Sequence, residues 1–238
     1  MTPLTSPLTS PLTSPLTAPL TSPLTTAHTS RTFAFNERSK RLWFDLEDRL
    51  FERRHGMDLG SPVAHADLVA RDPVSVQHAT SYQGAWLRNV RVLCEQAKRA
   101  RPALTTFVDI GSGKGKACFC AATQPGISEV VGVEFSQPLI DVAQANLLRF
   151  AARHCPVSLL CDDATSYLLP AATCLVFLFN PFDAVILKRF VDNNRAHFQR
   201  HGSVLGYAND VHRSVLRERG FDTIFRDPTR RLSLYELL

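Results

Sequence analysis

The chain predicts an α/β fold: a doubly wound, Rossmann-like sheet of seven strands, mostly parallel with one antiparallel strand in the edge region, preceded by an N-terminal helical arm. Three observations predict it. From about residue 84 onward, short apolar runs alternate with amphipathic helical patterns, the signature of strand–helix–strand units. One run, Phe107 to Ile110, breaks into Gly111-Ser112-Gly113-Lys114-Gly115 before helix-compatible residues, the pattern of a strand, a ligand-binding turn and a helix. The last two runs, Phe221 to Arg226 and Leu232 to Leu237, flank Asp227-Pro228-Thr229 and read as a closing antiparallel pair.

The chain has 238 residues and a formal charge of +5. Its globular part fits one domain with a full core. The basic excess is scattered arginine, which by itself licenses no nucleic-acid partner but leaves one open. Six cysteines include no CxxC pair and read as reduced core residues of a cytoplasmic protein. No apolar run reaches the roughly 18 residues of a membrane helix, and no export signal is evident.

Residues 1–30 form a tail of PLTS repeats with prolines at 3, 7, 11, 15, 19 and 23. Proline every fourth residue removes backbone donors, so the tail reads as disordered and polyproline-like. Residues 31–79 are the helical arm and linker. Within it, Asn36 to Arg54 reads as a helix with Leu42, Trp43, Leu46, Leu50 and Phe51 as its apolar stripe, to be packed on the main domain or used as a lid or dimer contact.

The domain proper is 80–238. Its first helix, about 84–98, buries Trp86, Leu87, Val90, Leu93, Cys94 and Ala97. The organising strand and glycine turn follow, with a helix to about 123. Strand two is Glu129 to Phe135, and Ser136 is placed to cap the next helix, whose stripe is Leu139, Ile140, Ala143, Leu147, Phe150 and Ala151. Val157 to Cys161 is strand three. Cys174 to Phe179 is continuously apolar, as a strand covered on both faces must be, and one helix is expected from there to about 199. Strand five is Ser203 to Ala208, and a helix over about 210–219 ends at Gly220.

Ligands of such sheets lie across the carboxyl ends of the strands, and every unusual residue maps there. Asp109 and the glycines follow strand one, Glu134 ends strand two, Asp163 ends strand three and Asn180-Pro181-Phe182 ends strand four. Carboxylates gathered this way are costly if buried without donors, so a donor-rich ligand is expected. A phosphate-binding GxxxxGK[ST] loop fails on spacing, because Val108 and Ile110 stand where its first glycine belongs. A dinucleotide GxGxxG turn would need a glycine where Lys116 stands. The nicotinamide reading stays open, since Glu134 would also suit its ribose.

The pattern Asp109-x-Gly111-x-Gly113-x-Gly115 resembles class I S-adenosylmethionine (SAM)-dependent methyltransferases. The resemblance covers about residues 80–238 and implies SAM as cofactor. It implies Glu134 as acceptor for the ribose hydroxyls, Asp163 and the Ala164 N–H at the adenine, and Asp109 on the rim facing the methionyl ammonium and sulfonium. The methionyl carboxylate would meet amides of Gly111, Ser112, Gly113 and Gly115, with Tyr82 or Thr80 nearby. Asn180, Pro181 and Phe182 resemble the N-P-P-F/Y motif of amino-methylating enzymes, with one proline missing. The turn and the Gly-Val-Glu strand end also resemble Dot1-like lysine methyltransferases. The implied reaction is transfer of a methyl group to a nitrogen of a protein side chain or small molecule. Asp183, Tyr207, Asn209 and Asp210 are candidates to bind or deprotonate the acceptor. A SAM-binding scaffold without turnover is the reading from a different class.

Overall fold

The computed structural model describes residues 28–61, 63, 78 and 82–238. The PLTS repeat and Thr80 lie outside the described residues. The chain divides into two compact units, Met1–Ser39 and Lys40–Leu238. In the first, residues 28–39 are helical; the second carries the sheet. No helix of the described residues is long and apolar enough to cross a membrane.

Seven strands form one sheet: β1 (Thr106–Ile110), β2 (Glu129–Glu134), β3 (Val157–Cys161), β4 (Cys174–Leu178), β5 (Val204–Ala208), β6 (Phe221–Asp227) and β7 (Leu232–Leu237). Their order is β3-β2-β1-β4-β5-β7-β6. The first five pair in parallel. β7 runs antiparallel to both β5 and β6. The reversed strand therefore lies one place in from the edge. Burial explains the choice within the closing hairpin: β7 is buried over its first four residues, whereas Asp222, Thr223 and Ile224 of β6 face solvent. The more apolar strand takes the inner position.

The helices are α1 (His28–His55), α2 (Leu87–Ala100), α3 (Lys116–Ala121), α4 (Gln137–Arg149), α5 (Ala184–Asn193), α6 (Arg195–His201) and α7 (Arg213–Glu218). Alternation along β1 feeds two cores. Phe107 joins Leu87, Val90, Leu93, Phe119, Phe150 and Phe177 on one face, while Val108 and Ile110 join Val176, Leu187, Phe190, Phe198 and Tyr207 on the other. Strand order reverses between β1 and β4, the place where open α/β sheets bind ligands.

Three local expectations are corrected. The single helix expected to about residue 199 is two, broken at Asn194. That side chain is buried, accepts from the Leu169 amide at 2.9 Å and donates to the carbonyls of Tyr167 and Phe190 at 3.0 and 3.1 Å. A buried amide satisfied across elements competes with helix continuation. Ser136 sits at the N-cap of α4 but makes no side-chain cap bond; its amide is held by Glu134 instead.

Of the arm's expected apolar stripe, Phe51 packs against the core and the other four residues are turned outward. Leu42, Trp43, Leu46 and Leu50 are exposed, while Phe44 and Asp48 are buried. Phe44 meets Trp86 edge-on at 5.6 Å and Phe51 meets Phe150 at 5.8 Å. Asp48 accepts from the Leu87 amide at 3.1 Å and pairs with Lys116 at 2.7 Å. A buried ammonium demands a counter-charge, and periodicity of apolar residues is blind to that demand.

Candidate active site

Strand β1 is buried along its whole length, so its polar residue goes down with it. Asp109 shares the face of Phe107 and is 3% exposed. Its Oδ2 is 3.6 Å from Cys118 Sγ, which donates to it. Burial pushes this carboxyl up to about 7, against the hydrogen bond from Cys118 and helped by the charge of Glu134. The chain then turns on Gly111 and Ser112, whose amides donate to the Val133 carbonyl at 2.8 and 3.0 Å. This ties the turn to the end of β2.

Two glycines in this turn are required by geometry. Gly111 (φ 79°) lies against Pro181 and Gly113 (φ 53°) lies under the ring of Tyr82; a Cβ at either would run into that neighbour. The left-handed φ adds a second penalty for any side chain. The close approach of Gly111 to Pro181 joins the carboxyl ends of β1 and β4.

Glu134 is 5% exposed. Its Oε2 accepts from the Gly113 amide and its Oε1 from the Ser136 amide, both at 3.0 Å. Burial raises its pKa, and the hydrogen bonds from the amides of Ser136, Gly113 and Phe135 oppose the shift. Neither Asp109 nor Glu134 has an ion-pair partner among the described residues. Ser112 Oγ and Ser136 Oγ are buried there without a hydrogen-bond partner.

Beyond β3, the Asp162 amide donates to the Glu134 carbonyl at 3.1 Å, setting the Asp162-Asp163 pair beside the end of β2. Asp163 Oδ1 accepts from the Thr165 amide and hydroxyl at 2.7 and 2.6 Å. Ala164 packs on the second core. Tyr82 is brought to the turn by its ring; its hydroxyl donates to the Leu59 carbonyl at 2.7 Å.

At the end of β4, Asn180 adopts φ 46°, and at the end of neighbouring β5, Asn209 adopts φ 54°. Non-glycine residues held in this region concentrate at functional sites. Tyr207, buried on β5, donates its hydroxyl to Asn180 Oδ1 at 3.1 Å. Phe182 is buried. Asp183 caps α5 by accepting from the Val185 and Ile186 amides. Asp210 is taken up by Ser233 at 2.6 Å and Arg226 at 3.5 Å, and Asn209 accepts from Arg231 at 3.2 Å.

Several residues here escape a reading of the sequence. Lys114 and Lys116, which look like solvent-facing turn residues, are both buried. Lys114 pairs with Asp58 at 2.7 Å and donates to Ser61; Lys116 pairs with Asp48 and lies 3.9 Å from Glu52. Asn146 of α4 is fully buried and brackets Asp58, accepting from its amide at 3.1 Å and donating to its carbonyl at 2.8 Å. Asp48 of α1 and Asp58 of the segment after it are thus tied to Lys116 and Lys114, 68 and 56 positions later, and Asn146 donates to the carbonyls of both Asp58 and Lys114. His78 is the other: its Nδ1 lies 2.7 Å from Asp183 Oδ2. No group of three or more His, Cys, Asp or Glu that could hold a metal ion occurs among the described residues.

The sequence matches no family profile and no curated protein. Solved structures do match. The ribosomal protein L11 methylase of Lactobacillus delbrueckii subsp. bulgaricus aligns at 15% identity and TM-score 0.46, over 62% of this chain and 77% of that one. Magnesium protoporphyrin IX methyltransferase of Synechocystis PCC 6803, with bound SAM, aligns at 15% and 0.45, over 63% and 77%. A SAM-dependent methyltransferase of Geobacter sulfurreducens, in complex with S-adenosyl-L-homocysteine, aligns at 17% and 0.40, over 56% and 64%. All three are named as methylating enzymes.

Proposed function

We propose that this chain is a SAM-dependent methyltransferase acting on a nitrogen of a protein side chain or small molecule. The observation that carries the reading is the convergence of two buried carboxylates, Asp109 and Glu134, without cationic partners among the described residues, on a turn where a Cβ at Gly111 or Gly113 would clash. Two serine hydroxyls without a partner among the described residues, Ser112 in the turn and Ser136 just beyond β2, support a ligand rich in polar groups. SAM fits this donor and acceptor set. When bound, it would supply an electrophilic methyl group on a sulfonium.

The residues have separable tasks in this reading. Glu134 accepts from the ribose hydroxyls with the lone pairs its amide bonds leave. Asp163 and the Ala164 amide take the adenine edge. Asp109 offers charge to the ammonium, and amides between Gly111 and Gly115 take the methionyl carboxylate. Asn180, Pro181 and Phe182 hold the acceptor across the β1–β4 junction, with Tyr207 fixing the Asn180 amide. Methyl transfer from a sulfonium asks mainly for alignment and exclusion of water, and in this reading the strand ends serve the alignment.

Calorimetric titration of the full chain with SAM, S-adenosylhomocysteine, NAD and NADH tests this. Selective binding of the first two, weakened at least about tenfold by Glu134→Ala, is expected. Binding of the nicotinamide pair alone, or indifference to Glu134→Ala, would sink the assignment.

A further inference from the structure

His78 meets the end of β4 twice. The Asp183 amide donates to its carbonyl at 3.0 Å, and its Nδ1 lies 2.7 Å from Asp183 Oδ2. The other carboxylate oxygen, Oδ1, accepts from the Val185 and Ile186 amides at 2.9 and 3.2 Å. The carboxylate is therefore fixed by α5 before the histidine reaches it. Burial pushes Asp183 up, but the bonds from His78 and the two amides outweigh it and hold the group below the usual carboxylate range. An anionic oxygen at Nδ1 selects the tautomer with the proton on Nδ1 and leaves the lone pair on Nε2. Among the described residues Nε2 meets no hydrogen-bonding partner, and Asp183 is the one charged group paired with the ring. This is the arrangement of a base and its orienting carboxylate, three residues beyond Asn180.

We infer that His78, oriented by Asp183, is the general base of the acceptor site, and that the acceptor is an amine that arrives protonated. The inference rests on the methyltransferase reading above. An amide or aromatic amine attacks as the neutral species and needs no base beforehand, whereas an alkylammonium has no lone pair until a proton leaves. The acceptor R–NH3+ passes one N–H proton to Nε2, the freed lone pair forms the N–C bond to the methyl group, and the C–S bond breaks with its electron pair going to sulfur. The products are R–NH2CH3+, the neutral thioether and an imidazolium paired with Asp183, which returns its proton to water.

Poly-L-lysine and polyadenylate are the probes, each incubated with the full chain and SAM labelled in its methyl group. Labelling of poly-L-lysine alone is expected, and at a fixed pH it should slow in His78→Gln. That variant should label about 100-fold more slowly while binding SAM as the wild type does, and added imidazole should restore part of the rate to His78→Ala. Nitrogen NMR of histidine-labelled protein should show His78 protonated on Nδ1 at neutral pH, and Asp183→Asn should abolish that preference. A rate unchanged in His78→Gln, or a proton on Nε2 in the wild type, would reduce His78 to a structural contact of Asp183. Label on polyadenylate instead, or no label on poly-L-lysine with SAM binding intact, would overturn the amine assignment. Loss of SAM binding by the wild type would sink the methyltransferase reading itself.

Discussion

In the proposed methyltransferase Asp109 should couple SAM binding to pH, and its buried position sets the size of the effect. Its carboxyl is pushed up to about 7 by burial and by the charge of Glu134. A ligand ammonium beside it would return it toward the ordinary carboxylate range. Binding should then release about 0.9 proton near pH 6 and about 0.1 near pH 8, and the dissociation constant should fall about tenfold between those two conditions. Calorimetry of SAM in buffers of different ionisation enthalpy reads the protons directly. Asp109→Asn carries whatever titration belongs to the ligand, so the difference between the two proteins isolates the carboxyl. The free protein should show the complementary trend. A carboxyl whose folded pKa is raised favours folding most below the ordinary carboxylate range, and that contribution disappears as pH rises through about 7, a span worth about 4 kcal/mol. Equal proton counts and parallel pH profiles in wild type and Asp109→Asn would refute the reasoning.

Three further outcomes follow from the packing. Lys116→Met leaves Asp48 buried without its partner and should cost about 3–5 kcal/mol in urea unfolding, most of it recovered when Asp48→Leu is added. Gly113→Ala, at positive φ and against the Tyr82 ring, should cost roughly 2 kcal/mol or more and shift the tyrosine's near-ultraviolet circular dichroism. Phe44→Ala should destabilise by about 3 kcal/mol, whereas Leu42→Ser, on the exposed side of the same helix, should stay within about 0.5 kcal/mol in a thermal melt.

Most of the sheet was legible because parallel strands covered on both faces must be short and continuously apolar, and because glycine spacing marks the turn. The residues at the strand ends were legible for the same reason: a carboxylate such as Asp109 or Glu134 closing an apolar run is conspicuous. What stayed hidden was pairing over long separations. Lys116 next to Gly115 looks like a residue for solvent until Asp48, 68 positions earlier, is seen beside it. His78, in a stretch without periodicity, carries no local sign of its contact with Asp183, 105 positions later.

The amino-acid sequence by itself determined the alternation of strands and helices, the glycine turn and which side chains stand at the carboxyl ends, since those depend on local period and on φ that only certain residues adopt. Tertiary structure decided which face of the arm is buried, that the reversed strand sits inside the edge, that Asn194 breaks a helix, and that Lys114, Lys116 and His78 pair with Asp58, Asp48 and Asp183. The strand order was settled by apolar burial of β7, and the others by a polar or charged group finding a partner from a distant part of the chain. That energy depends on where the partner lies in space and leaves no trace in the spacing of neighbours.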